Sequence, residues 1–184
     1  MEALGAEHPF MAVVSRNQAR AWIVKGECKR ALVCCEESEA VLTGAPSKSP
    51  QRMANVLSTK GEALLGLGRR SEAVECYTRC LDIRSELLEA THPDCAEGWQ
   101  GLGRTLAPGL GLEHLRRALD IRVERLGPAH PLTCETHMYL AEALEAVGEA
   151  EAARAHLAQS AVAELAVHLR PQVEALQARL SACV

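Results

Sequence analysis

The sequence predicts an all-α protein, a solenoid of four helix pairs closed by a terminal helix. Three observations carry that expectation. Aromatics number only five (Trp22, Trp99, Tyr77, Tyr139 and Phe10), while Ala, Leu, Glu and Arg recur throughout, a balance that favours helices over a sandwich or barrel. Leu81-Asp82-Ile83-Arg84 returns as Leu119-Asp120-Ile121-Arg122, and His92-Pro93 returns as His130-Pro131, both at an offset of 38. Glu62-Ala63-Leu64, Gly68 and Ala73 return at an offset of 80 as Glu142-Ala143-Leu144, Gly148 and Ala153, and a step back of 42 takes Gly68 to Gly26 and Ala73 to Ala31. Fixed offsets of this size mark stacked copies of one supersecondary unit.

Four units follow, about 8–49, 50–91, 92–129 and 130–169 within a repeat region 1–170, with 171–184 beyond them. Each reads as a helix A followed by a helix B. Pro9, Pro50, Pro93 and Pro131 mark the starts of the A helices, because proline at the first helical position sacrifices no hydrogen bond and pre-sets φ. In the second unit, helix A runs from about Gln51 to Leu67, with Met53, Val56, Leu57, Leu64 and Leu65 in helical spacing. Gly68 ends it in a left-handed cap, and Ser71 is expected to cap helix B, which runs from about Glu72 to Glu89. The third unit is four residues short, a loss that falls between Leu106 and Leu119, at the bend Ala107-Pro108-Gly109-Leu110-Gly111. Either helix A loses its last turn or helix B its first, and this segment is expected to be the weakest of the array. The fourth unit breaks at Gly148 and continues as helix B from Glu151 to Leu169. Arg170-Pro171 then opens a last helix to about Ala182, whose Val173, Leu176 and Leu180 lie on one side and suit a cap on the final repeat or a homodimer seam.

Composition narrows the function classes. Twenty basic against 24 acidic residues leave a net charge of −4, which disfavours nucleic acid as a partner. No apolar run approaches the ~18 residues of a membrane span, and Met1 to Phe10 lacks the basic and apolar stretches of a secretory signal. A soluble, cytoplasmic chain with no membrane insertion is expected. The eight cysteines include no CxxC pair, so the expectation is buried reduced thiols, with no metal site, although Cys76 and Cys80 share a helix face. Nor does any HExxH, GxSxG, Walker or GxGxxG pattern occur. His8, His92 and His130 recur once per repeat, but equivalent positions are two helices apart, too far for one ion. They are expected to flank the A-helix starts. Neither an enzyme nor a cofactor is expected.

Gly61, Leu64, Gly68, Ala73, Tyr77 and Cys80 in the second unit, with Trp99-x-x-Leu102-Gly103 in the third, resemble the tetratricopeptide repeat. The ordinary period is ~34 residues. A period of 42 joined by Leu126-Gly127-Pro128-Ala129-His130-Pro131 resembles the longer variety of the kinesin light chains. No heptad segment that would join a motor heavy chain is present, and in the first unit Cys35 replaces the aromatic. The resemblance implies a right-handed superhelical α-solenoid of tetratricopeptide-like helix pairs, Cys80 at a small-residue packing position, and A helices lining a concave peptide-binding groove.

The positions implied to face that groove are Val13, Arg16, Asn17 and Arg20, then Asn55, Ser58, Thr59 and Glu62, then Glu97, Gln100, Gly101 and Arg104, and last Glu135, Met138, Tyr139 and Glu142. Amides there suit a peptide backbone and guanidinium groups its carboxylates, although a merely solvated face would read the same way. The set is basic at its first repeat and acidic at its last, which would fix the direction of a bound segment. The chaperone-binding members of the family use lysines, asparagines and an arginine at set positions. Asn17 falls near one of these and no lysine fills the others, so a chaperone C-terminal tail is not the expected partner. The sequence reads as a non-enzymatic adaptor or scaffold for protein partners; the alternative is a structural subunit that assembles through its terminal helices.

Overall fold

The computed structural model describes residues 9–45, 49–160 and 169–182. His8, Cys183 and the last part of the predicted fourth helix B, residues 161–168, lie outside them. Among the described residues the chain forms nine α-helices and no strand. They divide at the Leu88–Glu89 step into two compact units.

The first unit holds α1 (Pro9–Val24), α2 (Cys28–Gly44), α3 (Pro50–Gly66) and α4 (Arg70–Leu87), in which α1 packs on α2, α2 on α3 and α3 on α4. Its core is built from small and medium side chains, among them Ala19, Ala31, Cys35, Leu57, Ala63, Leu64, Ala73, Tyr77 and Cys80. Small residues allow the helices to approach closely. A Cβ on Gly61 would sit 2.9 Å from the Tyr77 ring, so the glycine makes room for the aromatic. Ser38 Oγ donates to the Ala12 carbonyl at 3.0 Å, and Lys60 pairs with Glu39 at 2.6 Å, which ties α2 to both A helices of the unit.

The second unit holds α5 (Pro93–Thr105), α6 (Pro108–Leu126), α7 (Pro131–Ala146), α8 (Ala150–Ser160) and α9 (Arg170–Ala182). One apolar cluster runs through it, from Leu112 and Leu115 through Met138, Leu140 and Leu144 to Leu157. Val173, Leu176 and Leu180 of α9 are buried in the same cluster, and Arg154 of α8 donates to the Leu180 carbonyl at 2.8 Å. The apolar stripe of α9 is thus spent inside its own unit.

Local chemistry sets the helix ends. Gly26, Gly68 and Gly148 stand at φ +76, +75 and +85°, and the residue after each donates back to the helix: Glu27 to Trp22, Arg69 to Leu64 and Glu149 to Leu144, all at 2.9 Å. Three A-to-B turns therefore share one glycine-dependent cap. Ser71 is not the cap of α4; the cap position is Arg69, because the glycine turn releases the chain two residues earlier than expected. Arg69 reaches forward to Glu72 at 2.6 Å.

The third A-to-B turn departs from this pattern. Helix α5 has 13 residues against 17 in α3 and 16 in α7, so the four-residue loss removes the last turn of helix A. The break is only Leu106-Ala107, in extended backbone, and Pro108 opens α6. The glycine-rich bend expected at 107–111 is in fact the first turn of α6. Gly111 lies there against Gly103, so close that a Cβ would overlap the Gly103 carbonyl oxygen. Gly103 and Gly111 thus serve close contact between α5 and α6.

Candidate functional site on the A-helix faces

In the first unit, α1 presents Asn17 and Arg20 exposed, with Val13 and Arg16 half-buried beside them. Residues 16 and 20 are one turn apart and share a face. On α3, Asn55 and Glu62 are half-buried, but Ser58 and Thr59 are buried, at 3% and 6% exposure. The expectation that both line a groove is corrected. The helical repeat turns them inward with Ala54, Val56 and Ala63, and Thr59 Oγ1 donates back to the Asn55 carbonyl at 3.0 Å. Asn55 itself is held in place: its Oδ1 accepts from Arg84 Nη2 at 3.1 Å.

In the second unit Glu97 is exposed, Arg104, Glu135 and Glu142 are half-buried, and Gln100, Gly101, Met138 and Tyr139 are buried. Met138, expected on the face, belongs to the core, because one turn to either side stand Cys134 and Ala141, all three fully buried. Gln100 is likewise an internal acceptor, receiving Arg122 Nη1 at 2.5 Å and Thr136 Oγ1 at 3.0 Å. What remains on the face is a short chain of contacts. The Arg104 guanidinium lies 4.1 Å above the Tyr139 ring, and the Tyr139 hydroxyl donates to Glu135 at 3.2 Å. Burial pushes the Glu142 carboxyl up from its ordinary pKa, while Arg104 and Arg179 pull it back down.

Three features escaped the sequence reading. Arg84 and Arg122, at equivalent positions of the repeated Leu-Asp-Ile-Arg segment, are 1% and 3% exposed. Arg122 Nη1 donates to Gln100, to the Leu132 carbonyl at 2.8 Å and to Thr136 at 2.7 Å, so one guanidinium joins α5, α6 and α7. Burial lowers its pKa, which Glu135 and Glu97 partly restore. A charged residue kept in place through the repeat was the available signal. His92 and His130 do more than flank α5 and α7: each is the N-cap, its Nδ1 accepting from the backbone N–H of Asp94 at 3.1 Å and of Leu132 at 3.2 Å. The third is a contact of His137 with His156 across α7 and α8, which no motif announces.

Residues 52–111 match the family model of the tetratricopeptide repeat. That segment, about a third of the chain, is of the tetratricopeptide-repeat family. No curated protein matches it significantly. Among solved structures, kinesin-light-chain-type nearly identical TPR-like repeats from Podosopora anserina superpose with a TM-score of 0.69 at 21% identity, over 95% of each chain. A thermophilic TPR protein of Thermus thermophilus superposes at 0.58 with 17% identity, covering 94% of this chain and 82% of that one. BtubC (BKLC) of P. vanneervenii reaches 0.65 at 15% identity, over 78% and 59%. At such identities the likeness is one of fold, and the fold is that of long tetratricopeptide-type helix pairs of kinesin-light-chain-like type. Tetratricopeptide repeats form a scaffold whose helix faces meet other proteins. No helix among the described residues is long and apolar enough to cross a membrane.

Proposed function

We propose that this protein is a non-enzymatic adaptor whose A-helix faces hold peptide segments of a partner, each unit selecting its own charge. The observation that carries this is the division of charge between the two faces. Arg16, Asn17 and Arg20 gather on α1 in the first unit; Glu97, Glu135 and Glu142 gather on α5 and α7 in the second. An acidic segment suits the former and a basic segment the latter. Asn55 supplies an amide already oriented by Arg84, and Arg104 supplies a guanidinium braced on Tyr139. Groups held in place before binding lose less side-chain entropy on binding. Self-association through α9 has less support, because its apolar stripe is already buried.

The test is fluorescence anisotropy of the full chain with labelled acidic and basic peptides at low salt. Wild type should bind both classes, and Arg16→Glu/Arg20→Glu should lose the acidic class alone. Equal binding of acidic peptides by the double variant would overturn the reading.

A further inference from the structure

We propose that the turn between α1 and α2 is a peripheral docking surface for the anionic headgroups of a lipid bilayer. Val24, Lys25, Gly26 and Glu27 are exposed in succession, and Lys29 and Arg30 are exposed in the first turn of α2. Val24 is the most open of them among the apolar groups, at 70% exposure. Half-buried Trp22 links the two helices: the Lys25 ammonium lies 5.2 Å and the Arg30 guanidinium 4.5 Å from its ring centroid. The ring thus holds two cations in place and leaves both open to solvent. None of these residues belongs to the A-helix faces described above.

Folding does not account for the charge gathered there. From Trp22 to Arg30 three basic residues stand against Glu27 alone, in a chain whose net charge is −4. Among the described residues no carboxylate pairs with Lys25, Lys29 or Arg30. The other A-to-B turns differ. Arg69 is paired with Glu72, Leu106-Ala107 carries no charge, and Gly148 is followed by Glu149. Lys29 and Arg30 also occupy the positive end of α2, where the helix dipole favours acidic side chains and the first turn has none. Cations kept against a local electrostatic preference point to a use outside the fold.

The neighbours of the charge decide the partner. An acidic peptide would be met by the cations alone, whereas a bilayer surface also takes up exposed aliphatic and indole groups at headgroup depth. Val24 and Trp22 supply these. Glu36 and Glu37, exposed further along α2, would repel an anionic surface laid along that helix. At 1.5 Å per residue Glu36 stands about 10 Å beyond Lys29, about one Debye length at physiological salt. The hairpin therefore meets the bilayer end-on, through its turn. Each cation close to an anionic surface strengthens binding about fivefold, so three give reversible adsorption rather than insertion.

The test is cosedimentation of the full chain with phosphatidylcholine vesicles containing about 30% phosphatidylserine, at low salt and at about 0.5 M salt. The chain should sediment at low salt, be released at high salt, and ignore vesicles of phosphatidylcholine alone. Lys25→Glu/Lys29→Glu should weaken binding by about tenfold or more with unchanged circular dichroism. Arg52→Glu/Arg116→Glu, which removes the same net charge from exposed positions elsewhere, should change it by less than about twofold. Equal losses in the two double variants would reduce the binding to overall charge and overturn the proposal. So would undiminished binding by Lys25→Glu/Lys29→Glu, or no sedimentation with the anionic vesicles at low salt. Binding of soluble polyglutamate in preference to the vesicles would give the turn to an acidic protein partner and overturn it equally.

Discussion

Arg122 and Gln100 are joined side chain to side chain at 2.5 Å inside the second unit, both almost wholly buried. The guanidinium also satisfies the Leu132 carbonyl and Thr136. Removing it takes a charged donor from three acceptors, of which Gln100 Oε1 and the Leu132 carbonyl keep the Thr136 hydroxyl. Hydrogen bonds from charged groups contribute about 1.5–3 kcal/mol each, and stranded polar groups add a desolvation penalty, so Arg122→Ala should destabilise by about 3 kcal/mol or more. Arg122→Lys should recover only part of this, because an ammonium lacks the planar fork. Urea denaturation followed by circular dichroism gives the comparison. A loss below about 1 kcal/mol for Arg122→Ala would mean that water replaces the guanidinium.

The His-Pro starts allow a second prediction, whose sign depends on the substituent. His92→Ala and His130→Ala should each cost about 1 kcal/mol, the usual loss for an N-cap acceptor. His92→Asp and His130→Asp should be neutral or stabilising, because a carboxylate accepts the same bond and favours the helix N-terminus. Thermal unfolding of the four variants ranks them; aspartate variants as weak as the alanine ones would rule out capping.

Glycine substitutions within α6 should differ in direction over two residues. Gly111→Ala should destabilise by about 1–3 kcal/mol through overpacking against the backbone of Gly103. Gly103→Ala should do the same, since its Cβ would stand 2.5 Å from Leu115 Cγ. At Gly109 the nearest atom to a new Cβ is Val147 Cγ1 at 3.9 Å. Gly109→Ala should therefore be neutral or stabilising by up to about 1 kcal/mol from helix propensity. Denaturation midpoints of the three variants test the contrast, which would fail if all three fell together.

Acid should weaken the second unit through the histidine pair. Both pKa values are depressed in the folded state, so the unfolded chain binds more protons. The contribution to stability is complete above the ordinary histidine value of 6.5 and is lost as pH falls below it. The double variant His137→Asn/His156→Asn should show a flatter stability profile from about pH 7 to pH 5. Parallel profiles for variant and wild type would show that the pair does not titrate with folding.

What the sequence could and could not disclose follows from the range of the interactions involved. Proline starts, glycine caps and the 42- and 38-residue offsets are local or periodic, and they located the helices to within a few residues. The joint of the third pair was placed, but Gly111 looks like a breaker until Gly103, on another helix, is seen beside it. Faces were harder still. Met138, Ser58 and Thr59 have inner and outer neighbours at similar spacing, and only packing from both sides decides which way they turn. Arg122 is buried because two neighbouring helices supply its acceptors, and His137 meets His156 because α8 folds back on α7. Neither is a property of any short segment.

The punctuation of the chain also bears on how such a protein is inherited. Where His-Pro opens a helix pair and a positive-φ glycine turns it, as at His130 and Gly148, the instructions for both boundaries travel inside the segment they delimit. Recombination at those joints moves a complete pair and leaves no orphaned helix end. The third pair alone has replaced its glycine turn with a contact between two glycines, and that contact is a joint character. Keeping the shortened pair at this spacing therefore constrains both positions, since a side chain at either 103 or 111 would push the two helices apart.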